Sequence, residues 1–176
     1  MFAYDVMLRE ECDFMNNKSE VPEGFTLSLA LVDALPVLFF GIATLVLGLK
    51  IGSALFAIGA LLCFVGGAGK VAWKFVIALA HKNIPLLAKQ MRFLMPVGFL
   101  LMIVGAIICG QRTLQVFGAL ASMPSIILMI LWLACMCAMG YFASHADQNN
   151  ARSNWIEQLT NTAGQAALLL AILLVA

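Results

Sequence analysis

Long apolar runs, rather than an alternation of apolar and polar positions, dominate the chain after its first 25 residues. A helix rises 1.5 Å per residue, so about 20 apolar residues are needed to cross the hydrocarbon core of a bilayer. A spanning segment must also satisfy its backbone hydrogen bonds internally, as a helix does. The pattern therefore predicts an all-α integral membrane bundle of about five transmembrane helices.

The predicted spans are bounded by charges, prolines and turn residues. They cover residues 26–48, 51–74, 93–110, 118–143 and 155–176. Only 166–176 is purely apolar in the last span, so a crossing helix must start near Trp155 and carry polar residues. Gln111-Arg112-Thr113 is predicted to be a short turn. One transmembrane domain, 25–176, thus follows an acidic cytoplasmic segment, 1–24.

Composition supports a membrane location and excludes some partners. Hydrophobic residues make up 63% of the chain and charged residues only 11%, whereas a soluble domain carries about 25% charged residues. The net charge of +1 argues against nucleic acid, which requires a clear basic excess. The five cysteines are an odd number and do not suggest a disulfide framework.

The basic residues predict the orientation of the bundle, since they concentrate on the cytoplasmic side. With the N-terminus in the cytoplasm and the C-terminus external, only Lys50 and Arg112 of the 10 basic residues lie outside. The others are inside: Arg9, Lys18, Lys70, Lys74, Lys82, Lys89, Arg92 and Arg152. In a prokaryote the bilayer would be the cytoplasmic membrane.

Two short sequence segments, called words below, recur along the chain in similar form and suggest an internal repeat. Leu35-Pro36-Val37 is echoed 60 residues later by Met95-Pro96-Val97, and Gly59-Ala60-Leu61 is echoed 59 residues later by Gly118-Ala119-Leu120. One interpretation is two repeated helix hairpins plus a fifth helix. The alternative is chance, because short apolar words recur easily in a hydrophobic chain.

Polar residues within the predicted spans are the candidate site, because an ionisable group in lipid costs about 2.5–3.5 kcal/mol. Asp33 lies about 10 Å into the first span. Lys74 lies at a similar depth in the second helix, and Lys70 lies one turn deeper on the same face. The last span adds three polar residues at i, i+4 and i+8, on one helix face. The candidate ligand-binding residues are therefore Asp33, Lys70, Lys74, Glu157, Asn161 and Gln165.

Five of the six candidates also have a purely structural explanation, whereas for Asp33 we favour a paired aspartate, structural or functional, over simple exposure. Lys70 and Lys74 can extend to the headgroups as interfacial anchors. Glu157 can lie in the headgroup layer at a helix N-terminus, where the helix dipole favours an anion. Asn161 and Gln165 can simply bind a neighbouring helix through hydrogen bonds.

Three classes of function remain open. The first is a small transporter or ligand-binding membrane protein, with a cavity in the cytoplasmic half of the bilayer for a small polar ligand. The second is a non-catalytic membrane subunit or scaffold, for which the small residues Gly59, Cys63 and Gly67 offer a groove for a second copy or a membrane partner. The third is a lipid-modifying enzyme. No catalytic motif, cofactor motif or metal-ligand cluster is recognisable, so we predict no cofactor and no metal, and favour a non-enzyme.

Overall fold

The computed structural model describes residues 27–80, 82, 84–145 and 151–175, and this part of the chain is helical without strands. The helices, in order, are α1 Leu27–Ile51, α2 Ala54–Ala80, α3 Pro85–Lys89, α4 Met91–Ile108, α5 Gly110–Leu120, α6 Ser125–His145 and α7 Ala151–Leu174. The predicted all-α class is therefore confirmed. The predicted acidic segment, 1–24, lies outside the described residues.

Four of the helices are long and apolar enough to cross a membrane. They are α1, α2, α4 and α6, which is what a helical membrane bundle requires. The last helix, α7, is 24 residues long but is not among these four candidates for the predicted five spans, because Glu157, Asn161 and Gln165 make it less apolar. Its apolar second half contributes Leu168, Ala171 and Ile172 to the buried core.

The long helices form a row in the order α4, α2, α1, α7, α6. Neighbours in sequence run in opposite directions. Asp33, near the start of α1, pairs with Lys74, near the end of α2. Ser125 at the start of α6 donates a hydrogen bond to the carbonyl oxygen of Ala171, near the end of α7. The hairpin of α1 and α2 thus occupies the middle of the row.

The backbones of α2 and α4 meet through glycines. A Cβ atom added to Gly98 of α4 would lie 2.6 Å from Sγ of Cys63 and 2.7 Å from the carbonyl oxygen of Gly59. A Cβ atom added to Gly105 would lie 2.6 Å from the backbone nitrogen of Phe56. These approaches are too close for any side chain, so only glycine allows α4 to pack here.

The small-residue groove predicted on α2 is filled from within the chain. Gly59 and Cys63 are covered by α4, and Gly67 faces Val37 of α1, whose Cγ1 would lie 3.0 Å from an added Cβ atom. All three groove residues are buried. Their first use is therefore packing inside a single bundle.

The turn between α1 and α2 uses a glycine in the left-handed region. Gly52 has a φ of 70°, and its N–H donates to the carbonyl oxygen of Gly48 at 2.9 Å. This is the usual helix end at which glycine avoids the strain of a Cβ atom. The guanidinium of Arg112 lies directly against Gly52, so Arg112 and Lys50 occupy the end of the bundle opposite Asp33.

The region between α4 and α6 differs from the sequence-based prediction. The expected turn at Gln111-Arg112-Thr113 is instead the first part of α5, Gly110–Leu120. Thr113 Oγ1 donates to the carbonyl oxygen of Ala106 at 2.8 Å, which ties this short helix to the end of α4. The chain then turns at residues 121–124 before α6 begins.

The sequence repeat predicts a second hairpin between α4 and α6, comparable to that of α1 and α2, and this hairpin is not formed. Pro36 and Pro96 do lie in corresponding helices, α1 and α4. However, α4 packs on α2 and α6 packs on α7, with no comparable contact between α4 and α6 in the described residues. Gly59 lies in the middle of α2, whereas Gly118 lies in the short helix α5. The repeated words therefore do not produce equivalent packing.

The glycine contact between α2 and α4 leads to a stability prediction. We expect Gly98→Ala to lower the free energy of unfolding by about 1–3 kcal/mol, because the added methyl forces two backbones apart. Gly140→Ala on α6 is the matched control, since nothing lies within 4 Å of its added Cβ atom. It should not lower stability, because alanine is the better helix former and can raise stability by about 0.5–1 kcal/mol at an open helical position. Equal losses in denaturant unfolding of the two micelle-embedded variants would contradict this packing.

Candidate functional site

A buried ion pair joins the two central helices. Lys74 Nζ lies 2.7 Å from Asp33 Oδ2, and the two side chains are only 9% and 10% exposed. Each charge would be costly in an apolar environment without the other. Lys74 therefore points into the bundle, and this contact does not fit the interfacial-anchor alternative for this residue.

Two further charges lie near this pair. Lys70 is one turn away from Lys74 on α2 and is partly buried. It is close enough to interact electrostatically with Lys74, Asp33 and Glu157 of α7. The structure thus brings two acidic and two basic candidates from three helices into one layer, which we call the charged layer. Its formal charges sum to zero.

A cavity of about 200 Å³ lies one helical turn beyond the charged layer. It opens between α1, α2, α4 and α7. Its lining residues are Pro36, Val37, Phe40, Cys63, Gly67, Met95, Phe99, Asn161 and Gln165. Of the six candidate residues, only Asn161 and Gln165 line it, whereas the four charged ones do not. The single polar cavity expected from the sequence is therefore divided into a charged layer and a mostly apolar cavity.

The space exists because small and cyclic residues face it. Cys63 and Gly67 on α2 fill little volume, and the compact ring of Pro36 on α1 fills less than a long apolar side chain would. Phe40 of α1 and Phe99 of α4 approach with ring centroids 6.1 Å apart, tilted by 54°. The two rings form an aromatic wall of the kind that favours contact with another apolar group.

The polar wall of the cavity is made by two carboxamides on α7. Gln165 Nε2 donates to Asn161 Oδ1 at 3.5 Å and to Met136 Sδ of α6 at 3.6 Å. The distance to Asn161 Oδ1 is long for an N–H···O hydrogen bond. Gln165 is 8% exposed, and its Oε1 is buried with no hydrogen-bond partner among the described residues. A buried acceptor without a donor costs about 1–3 kcal/mol.

Sequence reasoning did not identify the apolar wall of this cavity. Phe40, Phe99 and Met95 resemble the many other apolar residues in the spans. The segments around Pro36 and Pro96 both contribute to the lining, but the repetition of their sequence does not indicate that they are neighbours. Pro36 and Val37 belong to the first word, and Met95 belongs to the second.

Comparison with known proteins assigns no chemistry to this site. No protein-family model matches it, nor does any curated protein or solved structure. In the described ranges, no group of three or more His, Cys, Asp or Glu side chains is placed to hold a metal ion. The geometry of the charged layer and the cavity is therefore the basis for the functional proposal.

The ion pair leads to a prediction about stability. Asp33→Asn leaves Lys74 as a buried cation beside the partly buried Lys70, and should lower the free energy of unfolding by about 3–5 kcal/mol. Lys74→Met should cost less, because Asp33 still interacts with Lys70. In the double variant the loss should be smaller than the sum of the two single losses.

Denaturant unfolding of the purified protein in micelles, followed by circular dichroism, measures these differences. Lys89→Met is the matched control, because Lys89 is exposed. This substitution should change stability by less than about 0.5 kcal/mol. Strictly additive losses at positions 33 and 74 would show that the two side chains do not interact.

Proposed function

We propose that this protein is a membrane-embedded binding protein for a small molecule, and that the cavity between α1, α2, α4 and α7 is its binding site. The observation that supports this most directly is a cavity of about 200 Å³ that carries the two carboxamides of Asn161 and Gln165. Binding sites are typically mostly apolar, with a few polar groups that orient the ligand.

The position of the cavity supports a role in binding. Four helices supply its walls, so a ligand there would contact residues far apart in the sequence. Helix bundles commonly bind ligands between facing helices in this way. The neighbouring charged layer can restrain α1 and α2, because it joins them directly through Asp33 and Lys74.

Transport is the extension of this proposal. A ligand in the cavity lies one turn from the charged layer, so passage in that direction requires Lys74 and Asp33 to separate. A small transporter would couple this separation to ligand binding. Uptake into proteoliposomes, measured with an identified ligand, would distinguish a transporter from a binding protein.

A membrane subunit or scaffold is the second candidate, and the outer helices favour it. Only 6% of the spanning segment of α6 is buried within the chain, compared with 44% for that of α2. Such an exposed apolar helix is available to lipid or to another membrane helix. Under this proposal, α6 is the helix through which the chain would assemble.

Filling the cavity tests the binding function. Val37 lines the cavity, so Val37→Phe should occupy part of its volume and exclude a ligand. Leu31→Phe is the matched control on the same helix, because Leu31 is 55% exposed. The assay is a thermal-shift series with small one-ring and two-ring compounds, charged and uncharged, performed on protein in lipid nanodiscs.

We expect at least one compound to raise the Tm of the parent and of Leu31→Phe but not that of Val37→Phe. A ligand at 100 times its Kd adds about 2.7 kcal/mol to the stability of the state that binds it. Identical responses of all three proteins across the series would contradict binding in this cavity.

A further inference from the structure

We infer that the cavity selects an uncharged molecule with one N–H or O–H donor on an apolar body of about one or two rings, and that Gln165 Oε1 accepts its hydrogen bond. This inference rests on the proposed binding function and specifies the chemistry of the ligand. It depends on three features of the cavity: an unused acceptor, walls without an available charge, and a limited volume.

The unused acceptor is the first feature. Gln165 directs its two N–H groups towards Asn161 and Met136, while its Oε1 has no donor in the described part of the chain. The oxygen is shielded from solvent in the present conformation. It has no accessible surface on the cavity side either, so a ligand reaches it only after the terminal torsion of Gln165 rotates. That torsion is broad and soft, and its rotation also moves the two N–H groups away from Asn161 and Met136. A donor on the ligand would then remove the cost of burying the oxygen unpaired.

The lack of an available charge is the second feature. None of the four charged residues of the charged layer lines the cavity. Asp33 and Lys74 are also already paired at 2.7 Å. A charged ligand would therefore lose its hydration without gaining a counter-charge, which is strongly unfavourable. An uncharged ligand avoids this cost.

The limited volume is the third feature. A cavity of about 150 Å³ can hold one benzene molecule, and this one measures about 200 Å³. The tilted rings of Phe40 and Phe99 offer faces and edges to a further aromatic ring, because such rings associate at centroid distances of about 4.5–7 Å. A compact ring system with one donor matches both the size and the aromatic wall.

Indole and benzofuran form the probe pair that tests this inference. They have nearly the same shape, but indole has an N–H donor where benzofuran has an oxygen. The full chain in lipid nanodiscs is titrated with each probe by isothermal calorimetry, and the heat from empty nanodiscs is subtracted. We expect indole to bind about tenfold more tightly, which corresponds to one hydrogen bond of about 1.4 kcal/mol.

Two glutamine variants identify the acceptor. In Gln165→Met the preference for indole should disappear, because the side chain keeps its length and loses its carboxamide. Gln158→Met is the matched control. Gln158 also has a buried Oε1 without a partner among the described residues, but it does not line the cavity. This variant should retain the tenfold preference.

The other outcomes overturn the inference in distinguishable ways. Equal binding of both probes to the parent, lost in Val37→Phe, would refute donor selection and leave the binding function standing. A preference that survives Gln165→Met would assign the acceptor to another group. Tighter binding of the benzylammonium cation than of indole would refute selection for an uncharged ligand. If neither probe binds the parent, this ligand class is excluded, and the wider thermal-shift series decides the binding function separately.

Discussion

The ion pair between Asp33 and Lys74 is the constraint around which the rest of the bundle is arranged. It joins the first turns of α1 to the last turns of α2 at 2.7 Å, with both side chains about nine-tenths buried. A buried pair adds little net stability, because both charges lose their hydration, but removing one partner is strongly destabilising. Its main effect is therefore to penalise any other register of the central hairpin. The remaining helices are added to this hairpin, α4 through its glycines and α7 along α1.

The character of the cavity follows from this arrangement. Because Asp33 and Lys74 neutralise each other one turn away, neither of them offers the cavity an unpaired charge. Small residues on α2 leave an unfilled space between α1 and α4, and the carboxamides of α7 supply the polar wall of this space. The site can thus combine an apolar interior with one unused acceptor, Gln165 Oε1. This combination favours a ligand that is apolar in shape and specific in a single hydrogen bond.

Sequence reasoning succeeded where the physics is local. Apolar runs long enough to cross a bilayer predicted the long helices, and the cost of Asp33 in lipid predicted that it would be paired. The spacing of Asn161 and Gln165 correctly placed them on one face of α7, where their side chains contact each other. These inferences required only the helical period and the low dielectric of the membrane.

Sequence reasoning was incomplete where the physics depends on which helices are neighbours. Lipid and protein are similarly apolar, so a spanning helix shows little periodicity to indicate its buried face. The order of the row, and the separation of the cavity from the charged layer, could therefore not be derived. Gly98 and Gly105 can be recognised as contact points only when the structure shows that α2 packs against them. Similarly, the polar sequence Gln111-Arg112-Thr113 resembles a turn. Only the structure shows the hydrogen bond from Thr113 Oγ1 to the carbonyl oxygen of Ala106 that ties it, as part of α5, to the end of α4.

The most direct test of this account is a carbon–nitrogen distance measured by solid-state NMR on isotope-labelled protein in lipid bilayers. The buried ion pair should give strong dipolar dephasing between the side-chain carboxyl carbon of Asp33 and Nζ of Lys74, corresponding to a separation of about 4 Å or less. The signal would be assigned by its absence in Asp33→Asn. A folded sample in which the Asp33 carboxyl shows no dephasing from Lys74 would contradict the buried pair, and with it the arrangement of the charged layer and the cavity.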